Sequence, residues 1–295
     1  MTWLQLKIAS THENAEALSD LLFLLGALSI TLIDAQNQPI YEPPLGTTPL
    51  WQEIWVCALF TTETEINSII QLVSQQIYHS QTPKYDCQEV PEQDWTQVWM
   101  AQSQPMSFGK RLWVCPSHQK VEKTDAVIVK LDPGLAFGTG THPTTALCLS
   151  WLDENIHGQE IVIDYGCGSG ILAIAALKLG ADQAIAIDND PQALQACSEN
   201  AKHNAIPPAN IIIDFPKSAP KLTAHVLVAN ILANPLIELA PQLIAMVKPL
   251  GKLVLSGILI SQIDAVKNAY QSWVVFDEPV IQEDWVRLAG NKVIK

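Results

Sequence analysis

The 295-residue sequence predicts an α/β protein in two parts: a doubly wound, mostly parallel sheet domain over residues 106–295, preceded by a small α+β domain over residues 1–90. Three observations predict it. Residues 1–90 carry strand and helix periods in the order β-α-β-β-α-β, the order of the ferredoxin-like split βαβ unit. After residue 160, short apolar strands alternate with helical patterns, which specifies a parallel sheet covered by helices on both faces. Between the two, residues 91–105 match neither pattern and read as a linker helix.

The elements follow in chain order. Trp3 to Ile8 alternates apolar and polar residues, as a half-buried strand does. Ala17, Leu18, Leu21, Leu22 and Leu25 recur at helical spacing within Asn14 to Leu25, and Gly26 stops that helix. Ser29 to Ile33 and Ile54 to Phe60 are strands, separated by a loop with four prolines between Asn37 and Pro49. Thr64 to Ile77 is a second amphipathic helix, and Tyr85 to Val90 a fourth strand. In the linker, Trp95, Val98 and Trp99 share one helical face. Strands Leu112 to Cys115 and Ala126 to Leu131 lead to a Gly/Thr-rich loop, Asp132 to Thr145, and a helix over Thr144 to Glu154. The alternation then runs strand Ile161–Asp164, helix Ile171–Leu179, strand Ala184–Asp188, helix Gln192–Asn204, strands Ile211–Ile213 and Val226–Asn230, helix Leu236–Val247, and strand Lys252–Ser256.

Composition narrows the function classes. Hydrophobic residues at 48% and charged residues at 16% belong to a folded globular chain. No segment reaches the ~20 apolar residues of a membrane helix; the longest candidate, Leu21 to Ile33, contains Gly26 and ends at Asp34. Met1 to Lys7 has no signal-peptide character, so a cytoplasmic location is expected. The six cysteines form no C-x-x-C pair and have no histidine at zinc-ligand spacing. Buried, reduced thiols are expected, and no metal site. The net charge of −13 is uneven: residues 1–105 hold Lys7 and Lys84 against twelve acids, a net −10. Such a module repels phosphate backbones and attracts basic proteins, though acidity that only keeps the chain soluble is an equal reading.

Chemistry is concentrated in four segments. Ile161-Val162-Ile163-Asp164-Tyr165-Gly166-Cys167-Gly168-Ser169-Gly170 is a buried strand, an acid and a turn with Gly166, Gly168 and Gly170 at every second position, entering a helix. Glycine permits close approach of a ligand to the backbone. The spacing is not the dinucleotide G-x-G-x-x-G; the compact form after an acid resembles S-adenosylmethionine enzymes. Asp188, at the tip of the second strand, is placed to accept from both ribose hydroxyls, while Asp190-Pro191 reads as a helix N-cap. Asn230 ends the fourth strand, near the switch point where ligands of open α/β sheets sit, and Asn234-Pro235 is expected to cap the next helix in its place. The loop Asp132 to Thr145 surrounds Phe137 with glycines and is expected to act as a lid, with Thr145 on the helix beside the glycine turn.

Together these residues resemble the ribosomal protein L-eleven methyltransferases. The resemblance rests on Phe137-Gly138-Thr139-Gly140-Thr141-His142-Pro143-Thr144-Thr145, on the Asp164 to Gly170 turn followed by Ile171-Leu172, and on Asn230-Ile231-Leu232-Ala233; it covers the whole chain. It implies a Rossmann-like class I methyltransferase domain behind a substrate-recognition module, with S-adenosyl-L-methionine as cofactor. The family's cofactor contacts fall on Thr145, Gly166, Asp188 and Asn230, and Phe137 of the loop with Gly168 and Gly170 of the turn are expected to line the same site. From the residues themselves, Asn230 is expected to aim the substrate amine, beside the apolar Ile231 and Leu232. The implied partner is ribosomal protein L-eleven, methylated at its N-terminal α-amine and at lysine ε-amines; from charge and composition, no direct nucleic-acid or membrane contact is expected, and a monomer is expected. Tyr165 departs from the smaller aliphatic residues usual there. His142 is a candidate base, more readily read as structural. The rivals are a nucleic-acid amino-methyltransferase, which often carries Asn/Asp-Pro-Pro-aromatic after the fourth strand, and a binding protein without turnover.

Overall fold

The computed structural model describes residues 2–36, 38, 40, 47–91, 104–119, 121, 125–131, 142–220 and 222–294. Two compact units are present, residues 1–95 and 96–295. The expected linker helix over residues 91–105 lies outside the described residues except at its ends.

In the first unit the order is β1 (Thr2–Thr11), α1 (His12–Leu24), β2 (Ser29–Asp34), β3 (Glu53–Thr61), α2 (Ile66–Gln76) and β4 (Tyr85–Pro91). The strands pair antiparallel in the order β2-β3-β1-β4. Period-two alternation in β1 sends Leu6 and Ile8 to one face, where they meet Val56, Ala58 and Phe60 of β3. Leu18, Leu21 and Leu22 of α1 and Ile69, Ile70 and Val73 of α2 close this core. Gly26 ends α1 at φ +97°, with the Ala27 N–H reaching back to the Leu22 carbonyl at 3.0 Å, a left-handed cap that glycine adopts without strain.

The second unit opens with a three-stranded sheet, β5 (Met106–Phe108), β6 (Leu112–Cys115) and β7 (Val127–Lys130). Asp153, buried near the end of α3 (Pro143–Asn155), holds the β5–β6 turn: its carboxylate accepts from the backbone N–H of Lys110, Arg111 and Leu112 at 2.6, 3.2 and 3.0 Å. Asn204 does the same for β7, donating to the Lys130 carbonyl and accepting its N–H, both at 2.7 Å.

The main sheet contains β8 (Ile161–Tyr165), β9 (Gln183–Ile187), β10 (Ile211–Asp214), β11 (Ala224–Asn230), β12 (Val247–Leu259), β13 (Val274–Phe276), β14 (Val280–Gln282) and β15 (Trp285–Lys292). Its order is β10-β9-β8-β11-β12-β15-β13, with β14 on β15. β8 to β12 pair parallel, whereas β15 runs antiparallel to β12. The chain winds outward from β8 to β10, then returns to place β11 on the other side of β8, so the switch point lies between β8 and β11. The crossover helices include α4 (Ile171–Leu179) and α5 (Pro191–His203). Val162, Val226 and Val228 point into the core under α3 and α4, and Ile163, Leu227 and Ala229 into the opposite one.

Two expectations are corrected here. The helix expected over Leu236 to Val247 is two short helices, α6 (Ala233–Glu238) and α7 (Ala240–Ala245), meeting at Leu239, and Val247 already belongs to β12. Pro241 has no N–H to donate and its ring does not fit a continuing helix, so it stands in a first turn instead. Cys87 is exposed on β4, whereas the other five cysteines are buried; all six are free thiols. One further helix, α8 (Ile263–Tyr270), packs Val266 and Tyr270 into the second core. Among the described residues no helix is long and apolar enough to cross a membrane.

Candidate active site

The site is built at the carboxyl ends of β8, β9 and β11. Past Tyr165 the chain turns through Gly166, Gly168 and Gly170 at φ +77°, +51° and +78°, values that side chains rarely tolerate. Space forbids a side chain too: a Cβ on Gly166 would strike the Ile231 side chain, and one on Gly170 the Cys197 thiol. The turn is tied down by Gly166 and Cys167 N–H donating to the Ile187 carbonyl at 2.8 and 3.0 Å. Asn200 of α5 adds a bond to the Ser169 carbonyl at 2.9 Å.

Asp188 follows β9 directly. Its Oδ2 accepts the Gly168 N–H at 2.9 Å and its Oδ1 the Asp190 N–H at 3.0 Å. Each carboxylate oxygen keeps a further lone pair. Asp190 caps α5, accepting from the Gln192 N–H at 2.8 Å with Pro191 in the first turn, as its sequence context predicts.

Asp164 is completely buried on β8. Its Oδ2 accepts the Ala173 N–H of α4 at 3.0 Å, and its Oδ1 has no hydrogen-bond partner among the described residues. Burial pushes its carboxyl up to about 7, the Ala173 bond opposes the shift and the nearby Asp188 charge adds to it.

Across the switch point, Asn230 ends β11 with its Nδ2 donating to the Thr145 Oγ1 of α3 at 3.2 Å. Thr145 is buried, and α3 is held against the sheet by Ser256, whose hydroxyl lies 3.3 and 3.2 Å from the Thr144 and Val286 carbonyls and has one proton to share between them. Ile231 is half-buried, while Leu232 is 42% exposed. Gly257, at φ +83°, lets β12 approach so closely that a Cβ there would meet the Ile231 carbonyl. The expected cap at Asn234 is not found: the N-cap of α6 is Leu232, with no side-chain capping bond.

His142 is the N-cap of α3. Its Nδ1 accepts from the Thr144 N–H at 3.3 Å and lies 2.8 Å from the Thr144 hydroxyl, and its ring meets Trp285 edge-on at 4.9 Å. Burial lowers its pKa against a smaller opposing pull from Glu283. This is the structural role. Tyr165 sits on the opposite face of β8 and takes a long bond from Gln242 at 3.4 Å. Phe137 and the expected lid, residues 132–141, lie outside the described residues.

The structure therefore brings together Thr145, Gly166, Gly168, Gly170, Asp188, Asn230, Ile231 and Leu232. Cys197, Asn200, Ser256 and Gly257 carry no site motif in the sequence, and Asp164 reads there only as an acid before a turn. The Ser256-Gly257 pair at the end of an apolar strand was the available signal. The donor set fits S-adenosylmethionine. An orphaned buried carboxylate oxygen and a second carboxylate suit a cation, and the glycines leave the backbone open. A dinucleotide pyrophosphate fits poorly, because the Gly168 N–H that would face it is already given to Asp188.

Comparison with known proteins agrees. The chain matches the family profile described as Ribosomal protein L11 methyltransferase (PrmA) over residues 2–293. It is 49% identical over 293 residues to the Ribosomal protein L11 methyltransferase of Pseudomonas aeruginosa PAO1, covering 99% of each chain. It is 50% identical over 293 residues to that of Ectopseudomonas mendocina, covering 99% of this chain and 100% of the other. A crystal structure of a ribosomal protein L11 methylase from Lactobacillus delbrueckii subsp. bulgaricus superposes with a TM-score of 0.57 at 32% identity, over 65% of this chain and all of that one.

Proposed function

Because the chain belongs to the ribosomal protein L11 methyltransferase family, we propose that it transfers methyl groups from S-adenosylmethionine to the N-terminal α-amine and lysine ε-amines of that ribosomal protein. The observation that carries the reading is the hydrogen bond from Asn230 to Thr145 across the switch point. It turns the Asn230 Oδ1 away from Thr145, where it would accept an N–H from an incoming amine.

The cofactor supplies an already electrophilic sulfonium methyl, so the protein's work is positioning and desolvation. Asp188 accepts from the ribose hydroxyls with its remaining lone pairs, and Gly166, Gly168 and Gly170 let the backbone lie against the ligand. Asn230 aims the lone pair of the substrate nitrogen. A lysine amine, with a reference pKa of ~10.4, must arrive neutral, and the apolar Ile231 and Leu232 disfavour its charged form. The exposure of Leu232 suits a residue that meets a macromolecular substrate. His142 is occupied as a helix cap and takes no proton in this scheme.

Residues 1–90 act as a ferredoxin-like recognition module whose acidity draws in a basic partner, residues 91–105 as its linker, and residues 106–295 as the catalytic domain. The enzyme is a monomer acting in the cytoplasm, where its substrate is made. The test is methyl transfer from labelled S-adenosylmethionine into ribosomal protein fractions compared with RNA. Label in the protein supports the assignment, label in RNA supports a nucleic-acid amino-methyltransferase, and bound cofactor without label in either means a binding protein.

A further inference from the structure

Asp164 presents an anomaly. A carboxylate with no exposed surface, one oxygen bonded and the other without a donor among the described residues, is costly to keep charged. An Asn or a hydrophobic residue at that place would avoid the cost. The side chain sits directly beneath the glycine turn: Asp164 pairs in register with Ala186 on β9 and Val228 on β11, and its bonded oxygen is on the first turn of α4.

The groups that bear on it electrostatically are Asp188 beyond β9, the Cys167 thiol in the turn and the Cys148 thiol on α3; the first thiol is kept protonated by its hydrogen bond with Cys197 and by burial, the second by burial. None is a cation. From α4 it meets only the Ala173 N–H. Among the described residues no cation is placed to offset a charge on Asp164.

We propose that Asp164, with Asp188, makes the site select the cationic S-adenosylmethionine over its neutral demethylated product, S-adenosylhomocysteine, and that Asp164 releases a proton to solvent as the cation binds. The inference rests on the cofactor reading above. The two ligands share ribose, adenine and amino-acid groups and differ by one methyl and one positive charge. Contacts to the shared groups cannot separate them, whereas a buried carboxylate beneath the turn can. Protonated Asp164 plus the sulfonium cation becomes ionised Asp164 paired with that cation, plus a proton to the buffer. The neutral thioether leaves Asp164 protonated. Transfer of the methyl removes the charge that Asp164 has paired with, so the product is the weaker ligand and leaves. The raised pKa of Asp164, about 7, agrees with a proton present in the free site at pH 6.5.

The experiment is calorimetric titration of the full chain at pH 6.5, in two buffers of different ionisation enthalpy, with each ligand in turn. At that pH an α-amine with a reference pKa of ~7.7–8.0 stays protonated and does not interfere. For S-adenosylmethionine the apparent enthalpy should differ between buffers by most of one proton, and for S-adenosylhomocysteine it should not. From pH 5.5 to 7 the affinity ratio of the two ligands should rise by up to about tenfold per pH unit. Asp164→Asn, isosteric with the neutral acid, should abolish both effects and narrow the ratio while still binding the product. If that variant does not fold, the two-buffer comparison on the wild-type chain decides alone. Equal proton release with both ligands, or an Asp164→Asn protein that retains the pH-dependent ratio, would overturn the proposal. Binding of neither ligand would instead overturn the cofactor reading.

Discussion

Replacing Asp188 by alanine acts on both stability and binding, because the same carboxylate serves the free turn and the cofactor. In the free protein its two oxygens accept the N–H groups of Gly168 and Asp190. Bonds to a charged acceptor contribute about 1.5–3 kcal/mol each when buried. Asp188 is half-buried, and water can reach the released N–H groups, so we expect about 2 kcal/mol of destabilisation in all rather than the full sum. For a unit of 200 residues that corresponds to a fall in Tm of roughly 4–8 °C. Loss of two ribose bonds should cost a further ~2–3 kcal/mol in affinity, or about 30- to 150-fold in Kd. Thermal melting reads the first term and calorimetric titration at a temperature where the variant is folded reads the second. Asp188→Asn should fall between, since its single acceptor oxygen can hold one N–H while its amide donates. A folded Asp188→Ala protein with unchanged Kd would refute the ribose assignment, and one with unchanged Tm would show that the turn does not depend on this carboxylate.

Further outcomes can be checked in the same preparations. Gly170→Ala should destabilise by more than the ~1 kcal/mol of backbone strain, because its Cβ meets Cys197, and Cys197→Ala added to it should restore part of the loss in a double-mutant melt; additive losses would mean the two positions do not touch. Asp153→Ala should cost about 3–5 kcal/mol by orphaning the N–H groups of Lys110, Arg111 and Leu112, read as a large shift in denaturant midpoint, whereas a shift below 1 kcal/mol would mean that water replaces the carboxylate. Asp164 holds its proton up to about pH 7 when folded and loses it near pH 4 when unfolded, so stability should decline as pH rises between those values, by at most ~1.4 kcal/mol per unit, relative to Asp164→Asn; parallel profiles for the two proteins would show that the acid is ionised in the fold. A chain starting near Gln93 should still bind S-adenosylmethionine but fail to methylate the intact ribosomal protein, and full-length affinity for that protein should fall with salt; equal rates with and without residues 1–92 would leave the acidity as a solubility feature.

Most of the elements, and the positions of the glycine turn, Asp188 and Asn230, were legible in the sequence because each is specified locally. An apolar period marks a strand or helix, a glycine marks a left-handed turn, and Asp190-Pro191 marks a helix start within two residues. The break at Pro241 was equally local and was read through. Tertiary structure alone decided the rest, because it depends on distances that the chain closes only by folding. Asn230 and Thr145 are 85 residues apart along the chain and meet only when β11 lies beside β8 with α3 packed over both. Gly170 must be glycine partly because of Cys197, and Gly166 partly because of Ile231. Asp153 looks like an exposed residue in a polar helix end until β5 and β6 deliver three N–H groups to it. Asp164 shows this most clearly. As a letter it is one acid among thirty; its burial, its single donor at Ala173 and its proximity to Asp188 arise from how three elements pack, and those determine whether it carries a proton.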